Sequence, residues 1–285
     1  MRAADLLKHA ATRLAAGRLD GPRREARLLL ALALDCDASD LLDGAGRAIT
    51  VGDASRFEAL VTRRLRYEPY SRIAGRREFW SLEFALSPDT LDPRPDSETL
   101  IESALTIIPD RAAPLRILDL GTGSGALLLA LLSELPSAWG VGIDIALDAA
   151  RTARRNAAAL GLSARAHFIA GDWGAALRWQ ADVILANPPY IRTQELDHLA
   201  PEVTLYDPRR ALDGGSDGLQ AYRGIAAVCH ESLRPGGCLV LEIGAGRARD
   251  VQAIMVKAGF GLVTSRCDLG GIERCLVFSS WQTAN

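Results

Sequence analysis

From Leu115 onward the sequence alternates short apolar runs with longer stretches at helical spacing, and few architectures accept that order. Strands are expected at Arg116–Leu120, Trp139–Asp144, Ala166–Ala170, Val183–Ala186 and Cys238–Ile243. Helices are expected between them, at Ala126–Glu134, Leu147–Leu160, Leu219–Leu233 and Ala248–Ala258. A strand–helix–strand rhythm implies an α/β fold with a doubly wound, mostly parallel sheet, because each crossover helix returns the chain to the end at which the previous strand began. Gly261–Arg266 and Arg274–Ser279, joined by a short Gly-containing turn, read as an antiparallel pair at the sheet's end.

The first 75 residues have a different period. Residues 4–16 place Leu6, Leu7, Ala10, Ala11 and Leu14 on one helical face, and Gly17 ends the run. Pro22 suits a first helical turn before Arg23–Leu34. Ser39–Leu42 reads as a short helical turn. Asp53 is expected to cap Ala54–Arg66, which carries Phe57, Leu60, Val61 and Leu65 on one face, with Pro69 closing it. Residues 1–75 therefore form a small all-helical N-terminal domain. Residues 76–110 form a hairpin and linker: Arg77–Leu86 as hairpin or extended connector, Ser87–Ser97 as loop, Glu98–Ile108 as helix. Residues 111–285 form the α/β domain. A length of 285 residues accommodates one medium and one small domain.

Charge and cysteine usage narrow the class. A formal net charge of −2 disfavours general nucleic-acid binding, which phosphate neutralisation drives. Cys36, Cys229, Cys238, Cys267 and Cys275 are odd in number and contain no C-x-x-C pair, so they read as small buried hydrophobes in a reducing, cytoplasmic compartment. Asp5 and Lys8 interrupt any signal-peptide core, and no apolar run reaches bilayer length. No membrane association is expected. The four histidines show no ligand spacing, and no metal site is expected.

The stretch ILDLGTGSGALLLALL is a strand, a Gly-rich turn and a helix. Gly121, Gly123 and Gly125, with Thr122 and Ser124 between them, allow a sharp turn and close approach of a ligand to the backbone. The next strand ends in Asp144, placed to accept the hydroxyls of a ribose or, alternatively, to cap the following helix. The pattern fits a dinucleotide or S-adenosyl-L-methionine, and G-x-G-x-G spacing weakens the pyrophosphate reading. In AGDWG, Asp172 can meet an adenine amino group and Trp173 can lie against the ring; an ordinary core tryptophan is the competing reading.

The fourth strand of the α/β region runs directly into Asn187-Pro188-Pro189-Tyr190. At the carboxyl end of a strand in a doubly wound sheet, this tetrapeptide faces the ligand crevice. An amide or aromatic amino nitrogen is a poor nucleophile because its lone pair is delocalised. The Asn187 side-chain carbonyl and the Pro188 backbone carbonyl can each accept one N–H of such a group. Both acceptors favour a nitrogen that is becoming pyramidal and positive, so they act mainly on the transition state. The prolines stiffen the turn and withhold donors, and Tyr190 offers a flat surface. A plain turn after a strand is the structural alternative.

These stretches, together with RREARLLL, EPYSRIAGRREFWSLEF, PRPDSETLIE, DPRRALDGGSDGLQAYRGI and LRPGGCLVLEIG, resemble the bacterial release factor glutamine methyltransferases of the HemK type over nearly the whole chain. The resemblance implies a class I methyltransferase domain behind a helical, substrate-recognising N-terminal domain. It implies S-adenosyl-L-methionine as donor and the glutamine of the Gly-Gly-Gln loop in class 1 peptide chain release factors as acceptor. Gly121 to Gly125, Asp144, Trp173 and Asn187 would then touch the cofactor. Asn187, Pro188, Pro189 and Tyr190 would hold the glutamine. Ile191–Gly218, long for a connection, is a candidate wall for an incoming peptide. Arg94, Glu98 and Glu242 stand open between pocket and structural roles. A ribosomal-protein glutamine or a nucleic-acid adenine N6 are rival acceptors. The chain lacks the target-recognition region that an adenine enzyme needs. A nicotinamide oxidoreductase would need G-x-G-x-x-G and a hydride-transfer dyad, and neither is present. An inert binding module would not need the tetrapeptide.

Overall fold

The computed structural model describes residues 2–41, 48–173 and 179–280. The chain divides into two compact units, residues 1–75 with 200–206, and residues 76–199 with 207–285.

The first unit contains α1 (Ala3–Ala16), α2 (Pro22–Leu34), α3 (Val51–Arg64) and α4 (Tyr70–Ala74). Ala10 and Leu14 of α1 are buried with Leu29 and Leu30 of α2 and Phe57 and Val61 of α3, as the helical spacing predicts. Two local expectations change. The cap of α3 is Thr50, not Asp53: the Thr50 hydroxyl accepts the Asp53 N–H at 3.1 Å, and the Asp53 carboxylate reaches back to the Thr50 N–H. Asp53 is thus the third residue of a capping box, and the helix begins three residues before Ala54. Pro69 does not close α3, which ends at Arg64; it is the N-cap of α4, absent from the sequence reading. The turn expected at Ser39–Leu42 is a 3₁₀ turn at Ala38–Leu41, and Leu42 lies outside the described residues.

The second unit opens with the antiparallel hairpin β1 (Arg76–Phe79) and β2 (Leu82–Ala85). Its two-residue turn, Trp80-Ser81, has φ of 53° and 57°, the pattern whose twist matches a right-twisted ribbon. Glu98 accepts the Trp80 backbone N–H at 2.8 Å, which gives Glu98 a structural role at the start of α5 (Glu98–Ile107). The alternating region follows as β3 (Arg116–Leu120), α6 (Ala126–Glu134), β4 (Trp139–Asp144), α7 (Leu147–Ala159), β5 (Ala166–Ala170) and β6 (Ala181–Ala186). A short helix, α8 (Pro201–Tyr206), belongs to the first unit. Then come α9 (Gln220–Ser232), β7 (Leu233–Glu242), α10 (Ala248–Lys257), β8 (Phe260–Cys267) and β9 (Glu273–Ser280).

The seven strands lie in the order β5-β4-β3-β6-β7-β9-β8. The first five are parallel; β9 runs antiparallel to β7, and β8 antiparallel to β9. Alternate residues of each strand feed two cores. Val183, Leu185, Val240 and Val277 pack on one face with α5, α6 and α7. Ile184, Ala186, Leu239, Leu241, Leu276 and Phe278 pack on the other with α9 and α10. The helix α6 is buried all round from Ala126 to Leu132, which explains its uniformly apolar sequence. β7 starts at Leu233, five residues before the expected strand. Cys229 and Cys275 are buried, but Cys36 and Cys238 are only half-buried and Cys267 is exposed, so the expectation of five buried thiols fails for three. Among the described residues no helix is long and apolar enough to cross a membrane.

Candidate active site

The winding of the sheet reverses between β3 and β6. Crossovers from β3 lead outward through β4 to β5, and the crossover from β6 leads the other way to β7. No helix covers the carboxyl ends of the two strands at such a reversal, so a crevice opens there. Leu120, the last residue of β3, pairs in register with Ala186, the last of β6. The next residues are Gly121 and Asn187. The two most informative motifs of the sequence, 66 residues apart, are thereby placed side by side.

The glycine turn is pinned to the neighbouring strand. The N–H groups of Gly121 and Thr122 both donate to the Ile143 carbonyl at 2.9 Å. Gly121, Gly123 and Gly125 all have left-handed φ, of 74°, 55° and 84°. Gly125 is the N-cap of α6, where a Cβ would stand 3.1 Å from both Ala153 and Leu129. The Asp144 carboxylate accepts the Gly123 N–H and the Ala146 N–H, each at 2.8 Å. One oxygen thus supports the turn before α7 and the other the glycine loop, and each keeps a lone pair for a ligand. Burial raises the Asp144 pKa, opposed by these two bonds.

A cleft of about 260 Å³ lies over this turn. Of the residues expected at the site, Gly121, Thr122, Gly123, Ser124, Asp144, Asp172, Trp173, Asn187 and Pro189 line it. Gly125, Pro188 and Tyr190 are not among its lining residues. Trp173 both packs on the core and lines the cleft. Its indole packs against the core on the α9 side, and its edge lies 3.7 Å from where a Gly121 Cβ would stand.

The tetrapeptide is clasped from behind. Ile191 N–H donates to the Leu212 carbonyl at 3.0 Å, and Gly214 N–H to the Ile191 carbonyl at 2.8 Å. A Cβ on Gly218 would stand 2.6 Å from the Tyr190 carbonyl, and one on Gly244 would meet the Tyr190 ring at 2.9 Å. The DGGSDG run is therefore a backbone-to-backbone seat for the loop after β6. Residues Ile191–Gly218 contain 3₁₀ turns at Thr193–His198 and Arg209–Ala211. Arg210 and Ala211 reach the cleft, and Arg210 pairs with Asp89. Arg94 pairs with the buried carboxylate of Asp207 at 2.5 Å, a structural role.

Glu242, which the sequence left open between pocket and structural roles, and three residues it did not single out, Ser97, Asp119 and Asn156, complete the arrangement. Asn187 Nδ2 donates to Ser97 Oγ at 3.1 Å, and Ser97 Oγ donates to Glu242 Oε2 at 2.5 Å. Glu242 is buried at the end of β7, which pushes its carboxyl up to about 7; Ser97, Arg274 and Tyr190 oppose the rise and Asp96 adds to it. Burial first, then Glu242, pushes Tyr190 up to about 12. Behind the glycine turn, Asp119 is fully buried and accepts from Thr122 Oγ1 at 2.6 Å, and burial pushes it up to about 7. Asn156, buried on α7, donates to the Ser124 and Ala85 carbonyls and ties the glycine turn to β2. The sequence shows each as a polar residue beside an apolar run, a weak sign of burial; their partners lie 3 to 145 positions away.

Comparison with known proteins agrees with this geometry. A family model described as the PrmC N-terminal domain matches residues 5–75, and one described as a methyltransferase domain matches residues 112–231. The release factor glutamine methyltransferase of Rhodospirillum rubrum is 48% identical over 272 residues, covering 95% of this chain and 83% of its own. That of Bradyrhizobium diazoefficiens is 46% identical over 271 residues, covering 93% of this chain and 91% of its own. A methyltransferase structure from Pyrococcus furiosus superposes with a TM-score of 0.54 at 17% identity, over 78% of this chain and 99% of its own, which establishes the class I fold. A topological crevice with its glycine turn and NPPY corner, and near-full-length identity approaching one half, lead to one conclusion: this chain belongs to the release factor glutamine methyltransferase family and is a methyltransferase.

Proposed function

We propose that this protein transfers a methyl group from S-adenosyl-L-methionine to the side-chain amide nitrogen, N5, of the glutamine in the Gly-Gly-Gln motif of class 1 peptide chain release factors, in the cytoplasm. The observation that supports the reading is the register Leu120↔Ala186, which sets the cleft of about 260 Å³ beside the Asn187-Pro188-Pro189-Tyr190 corner. The residues present fit the donor. Asp144 retains lone pairs for ribose hydroxyls, Ile143, Ile145, Leu127 and Trp173 supply apolar wall, and Asp172 is an acceptor for an amino group. S-adenosyl-L-methionine, when bound, supplies an electrophilic methyl group.

The chain's own residues then handle the acceptor. With its NH2 end turned to Ser97, Asn187 has its Oδ1 available to accept one N–H of the glutamine amide. The Pro188 carbonyl accepts the other. Two acceptors on one NH2 aim its lone pair along the displacement axis, and they strengthen as the nitrogen gains positive charge. The methylated nitrogen loses a proton readily, so no strong base is required. Tyr190, held on Gly244, stiffens the corner. We assign residues 1–75 to recognition of the release factor body: residues 5–75 match the PrmC N-terminal domain, and the matches to release factor glutamine methyltransferases cover 93–95% of this chain.

The test is mass spectrometry after incubation with labelled donor and, in separate reactions, a class 1 release factor, ribosomal proteins and adenine-containing DNA. One methyl on the Gly-Gly-Gln glutamine is expected. Label on a ribosomal protein or on DNA, with the release factor unmodified, rejects the reading.

A further inference from the structure

An asparagine side chain has two ends of nearly equal shape, and only the oxygen end can accept an N–H. Its neighbours must choose which end faces the cleft. We propose that Ser97 and Glu242 are positioning residues that make this choice for Asn187, and that the protonation state of Glu242 turns the acceptor-holding corner on and off. The inference rests on the reading of Asn187 as the residue that holds the acceptor amide.

The number of hydrogens in this chain of bonds fixes the direction of each. A serine hydroxyl has one, and Ser97 gives it to Glu242 Oε2. Only lone pairs of Ser97 then face Asn187, so the amide must turn its NH2 end to Ser97, as it does. Its Oδ1 is left for the substrate. With a proton on Glu242 the direction reverses. The carboxylic acid donates to Ser97 Oγ, and the Ser97 hydrogen is released to Asn187 Oδ1. The amide flips about its last torsion, and its NH2 end opposes the N–H groups of the incoming amide. Two like donors facing each other cannot bond, so the acceptor loses one of its two anchors.

The surroundings make this proton labile near neutrality. Glu242 is sealed at the carboxyl end of β7, and burial disfavours its charge. Facing it are Arg274 and Cys275 of β9, Asp96 and Ser97 ahead of α5, Tyr190 after β6, and Tyr222 of α9, whose hydroxyl donates to the Glu242 backbone carbonyl. Ser97, Arg274 and Tyr190 favour the carboxylate; Asp96 opposes it. The result is a carboxyl pushed up to about 7. Because the ionised form is the active one, turnover rises with pH through this value and falls below it.

The experiment is single-turnover methyl transfer to a purified class 1 release factor across pH values either side of neutrality, for the native enzyme, Glu242→Gln, Ser97→Ala and Asn187→Ala. Cofactor Kd is measured by calorimetry and folding by thermal melting. The native enzyme is expected to show an acid limb of unit slope. Glu242→Gln and Ser97→Ala should each lose that limb and fall about tenfold in the saturating single-turnover rate, with cofactor Kd and the release factor concentration giving half that rate little changed. Should both variants keep the native rate and acid limb while Asn187→Ala is inactive, the latch is wrong and the acceptor role of Asn187 stands. A fully active Asn187→Ala overturns that role itself. If Glu242→Gln does not fold, Ser97→Ala decides alone, and native rate with an intact acid limb in that variant overturns the proposal.

Discussion

At the residue scale, the site depends on carboxylates whose surroundings differ sharply. Asp144 sits at the cleft with both oxygens engaged by backbone N–H groups. Asp119, three residues before Thr122 on the same turn, has no access to water and accepts from the Thr122 hydroxyl and the Leu128 backbone. Its folded pKa of about 7 lies above the ordinary 3.8, so the folded protein holds a proton that the unfolded chain has released between those values. Stability contributed by this group is therefore fully present below the unfolded pKa and declines as pH rises through the folded one. Asp119→Asn keeps an acceptor for Thr122 and removes the titration. Melting temperatures of native and variant protein are expected to diverge in the variant's favour as pH rises from about 4 to 7. A constant difference across that range would show that Asp119 ionises normally in the fold.

At the scale of elements, short-range chemistry sets where pieces begin, and long-range packing sets what they do. The Thr50–Asp53 box starts α3, whose buried Phe57 and Val61 tie the helical unit together. Thr50→Ala removes one of two reciprocal bonds and should cost about 1 kcal/mol in urea unfolding, with no change in m-value. A variant as stable as the native protein would assign the helix start to packing alone. The hairpin β1–β2 behaves differently. Neither Trp80 nor Ser81 is a preferred residue for left-handed φ, yet both adopt it. Glu98 holds the Trp80 N–H, and Trp80 Nε1 donates to Glu134 of α6 at 2.8 Å, so tertiary anchors replace turn chemistry.

At the scale of the whole molecule, the chain is interleaved. Residues 200–206, downstream of the NPPY corner, belong to the unit made by the first 75 residues. Arg64, buried on α3, meets Glu25 of α2 and Glu202 of α8, each at 2.6 Å, and the Tyr206 hydroxyl donates to the Arg66 carbonyl at 3.0 Å. Removing one partner of a buried ion pair costs about 3–5 kcal/mol, and the partial exposure of Glu202 lowers that to about 2–3 for this cluster. Arg64→Ala is expected to show this loss and earlier proteolytic cleavage within 200–206. Native-like resistance there would mean that α8 is held by other contacts. The α8 segment thus has its own anchorage within the helical unit.

Much of this was legible without coordinates, and the reason is that some constraints are local. Strands β3, β4 and β5 and helix α6 lie where the apolar spacing put them, residue for residue; β3 and α6 are buried on nearly all sides and leave continuous apolar runs, whereas the edge strand β5 is buried on one face only. The glycine turn, Asp144 and the NPPY corner were readable because each follows a strand whose carboxyl end must face the crevice. Other features depend on partners distant in sequence. The Ser97–Glu242 bond spans 145 positions, the clasp of Tyr190 by Gly218 and Gly244 joins separate loops, and the left-handed Trp80-Ser81 turn is held by helices beyond it. A hydrogen bond between remote residues leaves no periodicity and no spacing. Local sequence determined the elements and the two motifs; the register of β3 against β6, and the neighbours it brings to Asn187, were decided only when the sheet closed.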